Sequence, residues 1–352
     1  MRKNNHHKSD KNNQFYTIVS LGDPAGIGRE ILFKVFSNIN KYFKHKERNF
    51  IKNCVIVGDL FEDEIIENSF DIIKYESINQ IVQYLNEKKN TKPVYVYLKR
   101  NVKVTYGIAG KDTGKRSYEY LKTALEVWRS VKMSALVTLP VSKENIIKSG
   151  EKFSGHTETL EEFYKRKTYM CMYGKNCSVI SLTTHIPLEK VPGYIKLVDY
   201  KNLANALLFY SRLFADKKPV AVMGLNPHAG ENGKIGTEEK FIKEKMKFLK
   251  TKNINIEGPF AADGFFASND KNKYSLAIAQ YHDQGLIPFK ILNGFEGLNI
   301  TLNLPKLRVS PAHGTAYSIA GTDKADVKSI VNSLTFAFKW GIKWIQHFSY
   351  QH

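Results

Sequence analysis

Thr17-Ile18-Val19-Ser20-Leu21-Gly22-Asp23-Pro24-Ala25-Gly26-Ile27-Gly28 passes from a β-branched, apolar run through a glycine-rich turn, and then Ile31, Leu32, Val35 and Phe36 repeat at helical spacing. A strand that ends in a tight turn and feeds a helix is the first half of a βαβ unit. The same alternation returns downstream. Cys54 to Val57, Ala135 to Leu139, Val179 to Leu182, Val220 to Gly224 and Leu276 to Ala279 read as strands. Leu121, Ala124, Leu125 and Trp128 line one helical face, Leu203 to Phe214 forms a further helix, and a last amphipathic helix spans about Val327 to Trp344. The pattern predicts an α/β protein around a mostly parallel sheet. With no internal repeat and no long Gly/Ser linker, it predicts two lobes sharing a cleft.

The chain has 352 residues, 42% of them hydrophobic, enough for one large or two medium domains. Lys and Arg number 53 against 34 Asp and Glu, a formal charge of +19. That charge invites a nucleic-acid partner. The basic residues are nevertheless spread along the whole chain with many Asn and Ile, and they form no stripe, zinc finger or aromatic-basic RNA signature. The expectation is no nucleic acid, with the charge left to steer an anionic substrate. Cys54, Cys171 and Cys177 make neither a CxxC pair nor an even framework, which points to a reducing compartment. No apolar run approaches a membrane span, and the opening Met1 to Asn13 is too polar for a signal peptide. A soluble, cytoplasmic protein without a membrane partner is expected. Residues 1–13 read as a disordered basic tail, so His6 and His7 are not ligands.

Five segments carry the candidate chemistry. Gly22 to Gly28 does not fit G-x-G-x-x-G and reads as a tight βα turn, so no NAD is assigned to it. His185, His228 and His282 each fall just past the carboxyl end of an expected strand, where ligand crevices form in α/β sheets. Three imidazoles with an open position would make a catalytic metal site, but their spacing alone does not establish one. Asp263 is a hydrogen-bond partner behind a metal ligand, a proton acceptor or a helix cap. Ser154-Gly155-His156-Thr157-Glu158 presents a hydroxyl and an imidazole together, or caps a helix through Ser154 or Thr157. Lys290, Asn299 and Arg308 supply two cations and an amide suited to a phosphate monoester. Ser310 to Gly321 is a small-residue loop that a flat cofactor could approach.

Gly22 to Gly28, Gly155-His156-Thr157-Glu158, Asn226-Pro227-His228-Ala229-Gly230-Glu231, Tyr281-His282-Asp283-Gln284-Gly285 and His313-Gly314-Thr315-Ala316 together, in this order, resemble the 4-hydroxythreonine-4-phosphate dehydrogenase family of vitamin B6 biosynthesis. The resemblance runs from about Thr17 to Trp344. It implies a two-lobed subunit similar to the isocitrate and isopropylmalate dehydrogenases, with an outer α/β domain of residues 14–150 plus 306–352 and a central domain of residues 151–305. It also implies a homodimer with a divalent metal between subunits, held by His185, His228 and His282. The ion is zinc first, with cobalt, manganese, magnesium or nickel as alternatives. His156, Thr157, Lys290, Asn299 and Arg308 match the family's substrate-binding residues. His313, Gly314, Thr315, Ala316, Ser318 and Gly321 match its NAD-binding loop.

The implied reaction oxidises 4-phosphooxy-L-threonine, and the resulting 2-amino-3-oxo acid decarboxylates to 3-amino-2-oxopropyl phosphate. Asp263, Asp283 or a water relay are the candidate proton acceptors. In the related dehydrogenases an acidic residue usually stands where this chain has Ser318, and that carboxylate binds the NAD ribose and repels the phosphate of NADP. An uncharged Ser318 predicts a weaker preference for NAD over NADP. The alternatives are a related dehydrogenase of another phosphorylated hydroxy acid, such as phosphoerythronate, and a nucleic-acid-binding protein on a dehydrogenase scaffold. Retention of all three histidines and the anion-binding candidates argues against the latter.

Overall fold

A computed structural model describes residues 14–62, 68–88 and 91–349. The expected tail at residues 1–13 lies outside the described residues. The strands are β1 (Tyr16–Ser20), β2 (Cys54–Gly58), β3 (Asp71–Lys74), β4 (Val94–Tyr97), β5 (Ser134–Thr138), β6 (Tyr169–Tyr173), β7 (Val179–Ser181), β8 (Val220–Met223), β9 (Ile256–Phe260), β10 (Leu276–Ala279), β11 (Leu298–Leu302) and β12 (Arg308–Pro311). Among the described residues they form one 12-stranded sheet in the order β3-β4-β2-β1-β5-β12-β11-β6-β7-β10-β8-β9. From β3 to β12 all neighbours are parallel, and from β7 to β9 they are parallel again. Between these blocks β11 is antiparallel to β12 and β6, and β6 is antiparallel to β7, so the two blocks run in opposite directions.

The two-residue period of a strand explains how the sheet is covered. On β1, β2 and β5 the residues Val19, Ile56 and Val137 enter one apolar cluster, while Ile18, Val57 and Leu136 enter another on the opposite face. The first cluster continues along the same face through Ile300, Cys171, Ile278 and Val222. On the other face the core is broken. One cluster lies under the first block, around Trp128 and Phe153, and a separate one around Met172, Phe265 and Phe289 lies under the second. A sheet buried on both faces needs near-continuous apolar strands. The gap between those two clusters leaves the middle strands of that face open.

Helices cover the sheet. Lys111–Ser130 packs on β1, β2 and β5, and Lys328–Ser349 packs on β12, β5 and the helix Tyr200–Phe214. Among the described residues no helix is long and apolar enough to cross a membrane.

The structure departs from the sequence reading in the middle of the sheet. Asn299 and Arg308 sit on β11 and β12, and the small-residue segment begins at Ala312 because Ser310 and Pro311 close β12. Both strands are short and carry buried polar residues, and a proline normally argues against a strand interior. The Gly155 N-cap of the helix His156–Tyr164 has no side-chain capping bond, so neither Ser154 nor Thr157 caps it.

Candidate active site

The gap in the core is a cleft of about 520 Å³. Its floor follows from strand alternation. Val309 and Ile300 point into the continuous core. Their neighbours Arg308 and Ser310 on β12 and Asn299 on β11 line the cleft, as do Met170 and Met172 on β6 and Thr138 at the end of β5. The pairing register sets Asn299 opposite both Ser310 and Met172. One wall is the turn and first residues of the helix His156–Tyr164, with His156, Thr157 and Glu158. The other is the helix His282–Asn293, with Leu286 and Lys290. All five residues expected to bind substrate therefore meet in one place, and His313 and Gly314 border the same cleft.

Arg308 dominates the electrostatics. Its side chain is buried, and its guanidinium donates to the Thr138 hydroxyl at 2.7 and 3.2 Å and to the Thr301 hydroxyl at 3.1 Å. These partners are neutral, and among the described residues no carboxylate lies in salt-bridge contact with it. Burial pushes its pKa down to about 10 despite the opposing field of Glu158, so it stays charged. A buried cation without a bonded counter-ion is costly unless an anion arrives. The His156 imidazole, edge-on to Phe153, is pushed down to about 3 by burial and then by Arg308, so it is neutral. His156 Nε2 and Asn299 Oδ1 are buried without a partner. Unsatisfied polar atoms beside a cation mark where a polar ligand belongs.

His185 and His282 follow β7 and β10, neighbouring parallel strands, and their ring centroids are 5.8 Å apart. Gln284 and Gly285 set the His282 helix in place. Gln284 accepts from the Gln280 N–H at 2.7 Å and donates to the Gly224 carbonyl at 2.8 Å. A Cβ on Gly285 would lie 2.6 Å from Val179 Cγ1, so only glycine lets the helix rest on the sheet there. Asp283 Oδ1 lies 2.6 Å from His282 Nδ1, and Glu158 Oε1 lies 3.8 Å from His185 Nδ1. Contact with Glu158 holds the His185 pKa above its ordinary value, and His185 in turn holds Glu158 below its own. A carboxylate at Nδ1 orients an imidazole so that Nε2 faces a ligand, the arrangement common behind metal-bound histidines. This donor chemistry fits a divalent ion.

The third histidine stands apart. His228 is exposed, in a turn whose residues His228, Ala229, Gly230, Glu231 and Asn232 all have positive φ between 39° and 76°. Left-handed non-glycine residues are strained and persist only when their surroundings hold them. Glu239, which the sequence reading missed, does the holding. Its buried carboxylate accepts the N–H groups of Leu225 and Asn226 at 3.0 and 2.8 Å and the Asn226 side-chain amide at 3.0 Å. Among the described residues no three His, Cys, Asp or Glu side chains gather as a metal-binding group. Asp263 is exposed in the short helix Ala262–Ala267, which packs against the His228 turn and not against the cleft. Ser318 is exposed, and Thr315, Ala316 and Gly321 continue the loop beyond Gly314. Lys143 and Glu158 also line the cleft. The alternation of polar with apolar residues in Asn299 to Leu302 was the available signal for Thr301.

A family model described as pyridoxal phosphate biosynthetic protein PdxA matches residues 51–337. A 4-hydroxythreonine-4-phosphate dehydrogenase of Sulfurihydrogenibium sp. is 37% identical over 328 residues, covering 91% of this chain and 96% of that protein. A D-threonate 4-phosphate dehydrogenase of Pectobacterium atrosepticum is 32% identical, covering 91% of this chain and 98% of that one. The solved structure of 4-hydroxythreonine-4-phosphate dehydrogenase from Klebsiella pneumoniae superposes with a TM-score of 0.69 at 26% identity, covering 96% of this chain and all of that chain.

Proposed function

The chain belongs to the pyridoxal phosphate biosynthetic protein PdxA family, and on that premise we propose that it oxidises 4-phosphooxy-L-threonine with NAD and a divalent metal. The product, a 2-amino-3-oxo acid, loses carbon dioxide to give 3-amino-2-oxopropyl phosphate. The observation that carries this reading is the buried Arg308, bonded among the described residues to hydroxyls, in a cleft where His156 Nε2 and Asn299 Oδ1 have no partner among those residues. A phosphorylated substrate supplies the missing negative charge.

The residues divide the work. Arg308 and Lys290 hold the anionic groups, Asn299 and neutral His156 complete their hydrogen bonds, and Thr157 contributes a hydroxyl at the helix start, together fixing the alcohol carbon. His185 and His282 would hold the ion through Nε2, with His228 as third ligand. Zinc is the first choice, with cobalt, manganese, magnesium or nickel as alternatives this donor set does not separate. When bound, the ion supplies Lewis acidity and the nicotinamide accepts a hydride. The loop His313, Gly314, Thr315, Ala316, Ser318 and Gly321 would seat that cofactor. With uncharged Ser318, NADP is used at millimolar concentration; steady-state kinetics showing none used would reject this.

His228 and Asp263 lie near one another and outside the cleft, so this reading needs a second copy to bring them to it. An exposed apolar stripe, Ile287, Ile291 and Phe295, on and just after the helix of His282 and Lys290, is suited to that contact. We therefore place a metal site shared across a homodimer, with Asp263 as the proton acceptor, since Asp283 is engaged by His282.

The Pectobacterium relative favours a second reading, in which the substrate is a phosphorylated hydroxy acid without an amino group, such as D-threonate 4-phosphate or phosphoerythronate. The test follows reduced nicotinamide formation by metal-stripped protein, before and after adding each ion, with both substrate types. Ion-dependent turnover of 4-phosphooxy-L-threonine is expected. Turnover of only the hydroxy acids transfers the assignment to the second reading.

A further inference from the structure

The Gly22–Gly28 turn matches no nucleotide fingerprint, and the chemistry above leaves it without a role, yet it is buried and heavily bonded. It makes two sets of contacts. On one side the Asp23 N–H donates to the Pro140 carbonyl at 2.9 Å, in the Thr138–Val141 wall of the substrate cleft. On the other side it meets the loop after β12. The Ile27 N–H donates to the Thr315 carbonyl at 2.9 Å, and the Tyr317 hydroxyl donates to Asp23 Oδ2 at 2.8 Å. A Cβ on Gly26 would lie 2.9 Å from the Thr315 carbonyl oxygen, so the two backbones touch only because this residue is glycine.

Asp23 is the centre of this bracket. Its side chain is buried, and the Ala25 N–H donates to Oδ1 at 3.0 Å. The Thr113 hydroxyl, on the helix Lys111–Ser130, is 3.4 Å from Oδ2. Tyr317 is pushed up to about 12, by burial first and then by Asp23, so its hydroxyl keeps the proton it donates. The Asn145 amide donates to the same hydroxyl at 3.3 Å. We infer that Asp23 is a positioning residue that holds the cofactor loop, through Tyr317, at a fixed distance from the substrate wall, through Pro140. The inference rests on the reading of His313–Gly321 as the cofactor loop. Hydride transfer depends on the separation of two bound molecules, and this turn bonds to the seats of both.

The test titrates NADH fluorescence with the purified protein and measures KM for both substrates. Tyr317→Phe removes the hydroxyl and keeps the ring. Losing a hydrogen bond to a buried carboxylate should weaken NADH binding by about tenfold and raise KM for the nicotinamide similarly, with KM for the phosphorylated substrate within about twofold. Asp23→Asn should behave alike, and the double variant should be no worse than the weaker single one. Thr113→Val touches the same carboxylate from the helix side and should lower Tm without changing NADH affinity. If Thr113→Val weakens NADH as much as Tyr317→Phe, Asp23 is only structural and the inference fails. Gly314→Leu separates the two readings, because a side chain there meets nothing of the protein within 4 Å and fills only the loop's open face. If Gly314→Leu weakens NADH and Tyr317→Phe does not, the bracket is wrong and the loop assignment stands. If neither does, the cofactor is not on this loop and both readings fall.

Discussion

Arg308 puts a buried charge at the floor of the cleft, with the hydroxyls of Thr138 and Thr301 as its hydrogen-bond partners. Arg308→Lys keeps a charge but cannot span two threonines and an anion, so kcat/KM should fall by about tenfold or more. Arg308→Met should cost about a hundredfold or more, and in both variants the loss should lie mainly in KM for the phosphorylated substrate. A loss confined to kcat would mean that Arg308 does not bind the ground state. His156 gives a pH signature. Folded, it resists protonation down to about 3, while in the unfolded chain it titrates near about 6.5. Between those values the unfolded state binds the extra proton, so the His156 contribution is intact above about pH 6.5 and is lost as pH falls. Urea denaturation should show the unsubstituted protein losing up to about 2 kcal/mol more than His156→Asn between about pH 7 and about pH 5. Parallel pH profiles would refute the buried neutral imidazole.

Among elements, the helix His282–Asn293 has the most to hold, since it carries His282, Leu286 and Lys290 and rests on β7 and β10 through Gly285. Gly285→Ala should force the helix off the sheet, costing about 1–3 kcal/mol of stability. It should also raise KM for the substrate and weaken metal binding in the same variant. A thermal melt combined with zinc titration checks this, and destabilisation alone would mean the helix does not set the site. The same scale shows what the sequence could reveal. The apolar cores of β1, β2, β5, β7, β8 and β10 were readable because both faces are buried, and β-branched runs declare such strands. β11 and β12 were not, because one face of each is the cleft floor, where Asn299, Thr301, Arg308 and Ser310 interrupt the apolar pattern. The residues that hid these strands are the ones that floor the cleft or bond to it. The five residues that meet in the cleft were legible as a family pattern, whereas Thr138 reaches Arg308 across 170 residues of chain, a contact that no local spacing encodes.

For the whole molecule, the proposed shared metal site requires a second copy to bring His228 to His185 and His282. Ile287, Ile291 and Phe295 are 56%, 77% and 71% exposed on and just after one helix, an apolar stripe suited to contact with a second copy. On the proposed homodimer, Ile287→Asp with Ile291→Asp should convert dimer to monomer in sedimentation. Its Tm at high protein concentration should fall, because partner binding stabilises the folded chain. Metal affinity should drop at the same time. A doubly substituted protein that stays dimeric would place the interface elsewhere.

The pairing of β5 with β12 has a consequence for how the protein is made. Thr138 and Arg308 are hydrogen-bonded neighbours 170 residues apart. A ribosome therefore delivers the first parallel block with the β5 edge open, and it must synthesise all of residues 151–305 before the strand that closes that edge emerges. Through that interval the nascent chain exposes an unpaired, apolar strand edge, the kind of surface that chaperones bind and that seeds misassembly. Arg308 arrives with the closing strand, so the cleft acquires this buried charge late in synthesis, as the two blocks are joined.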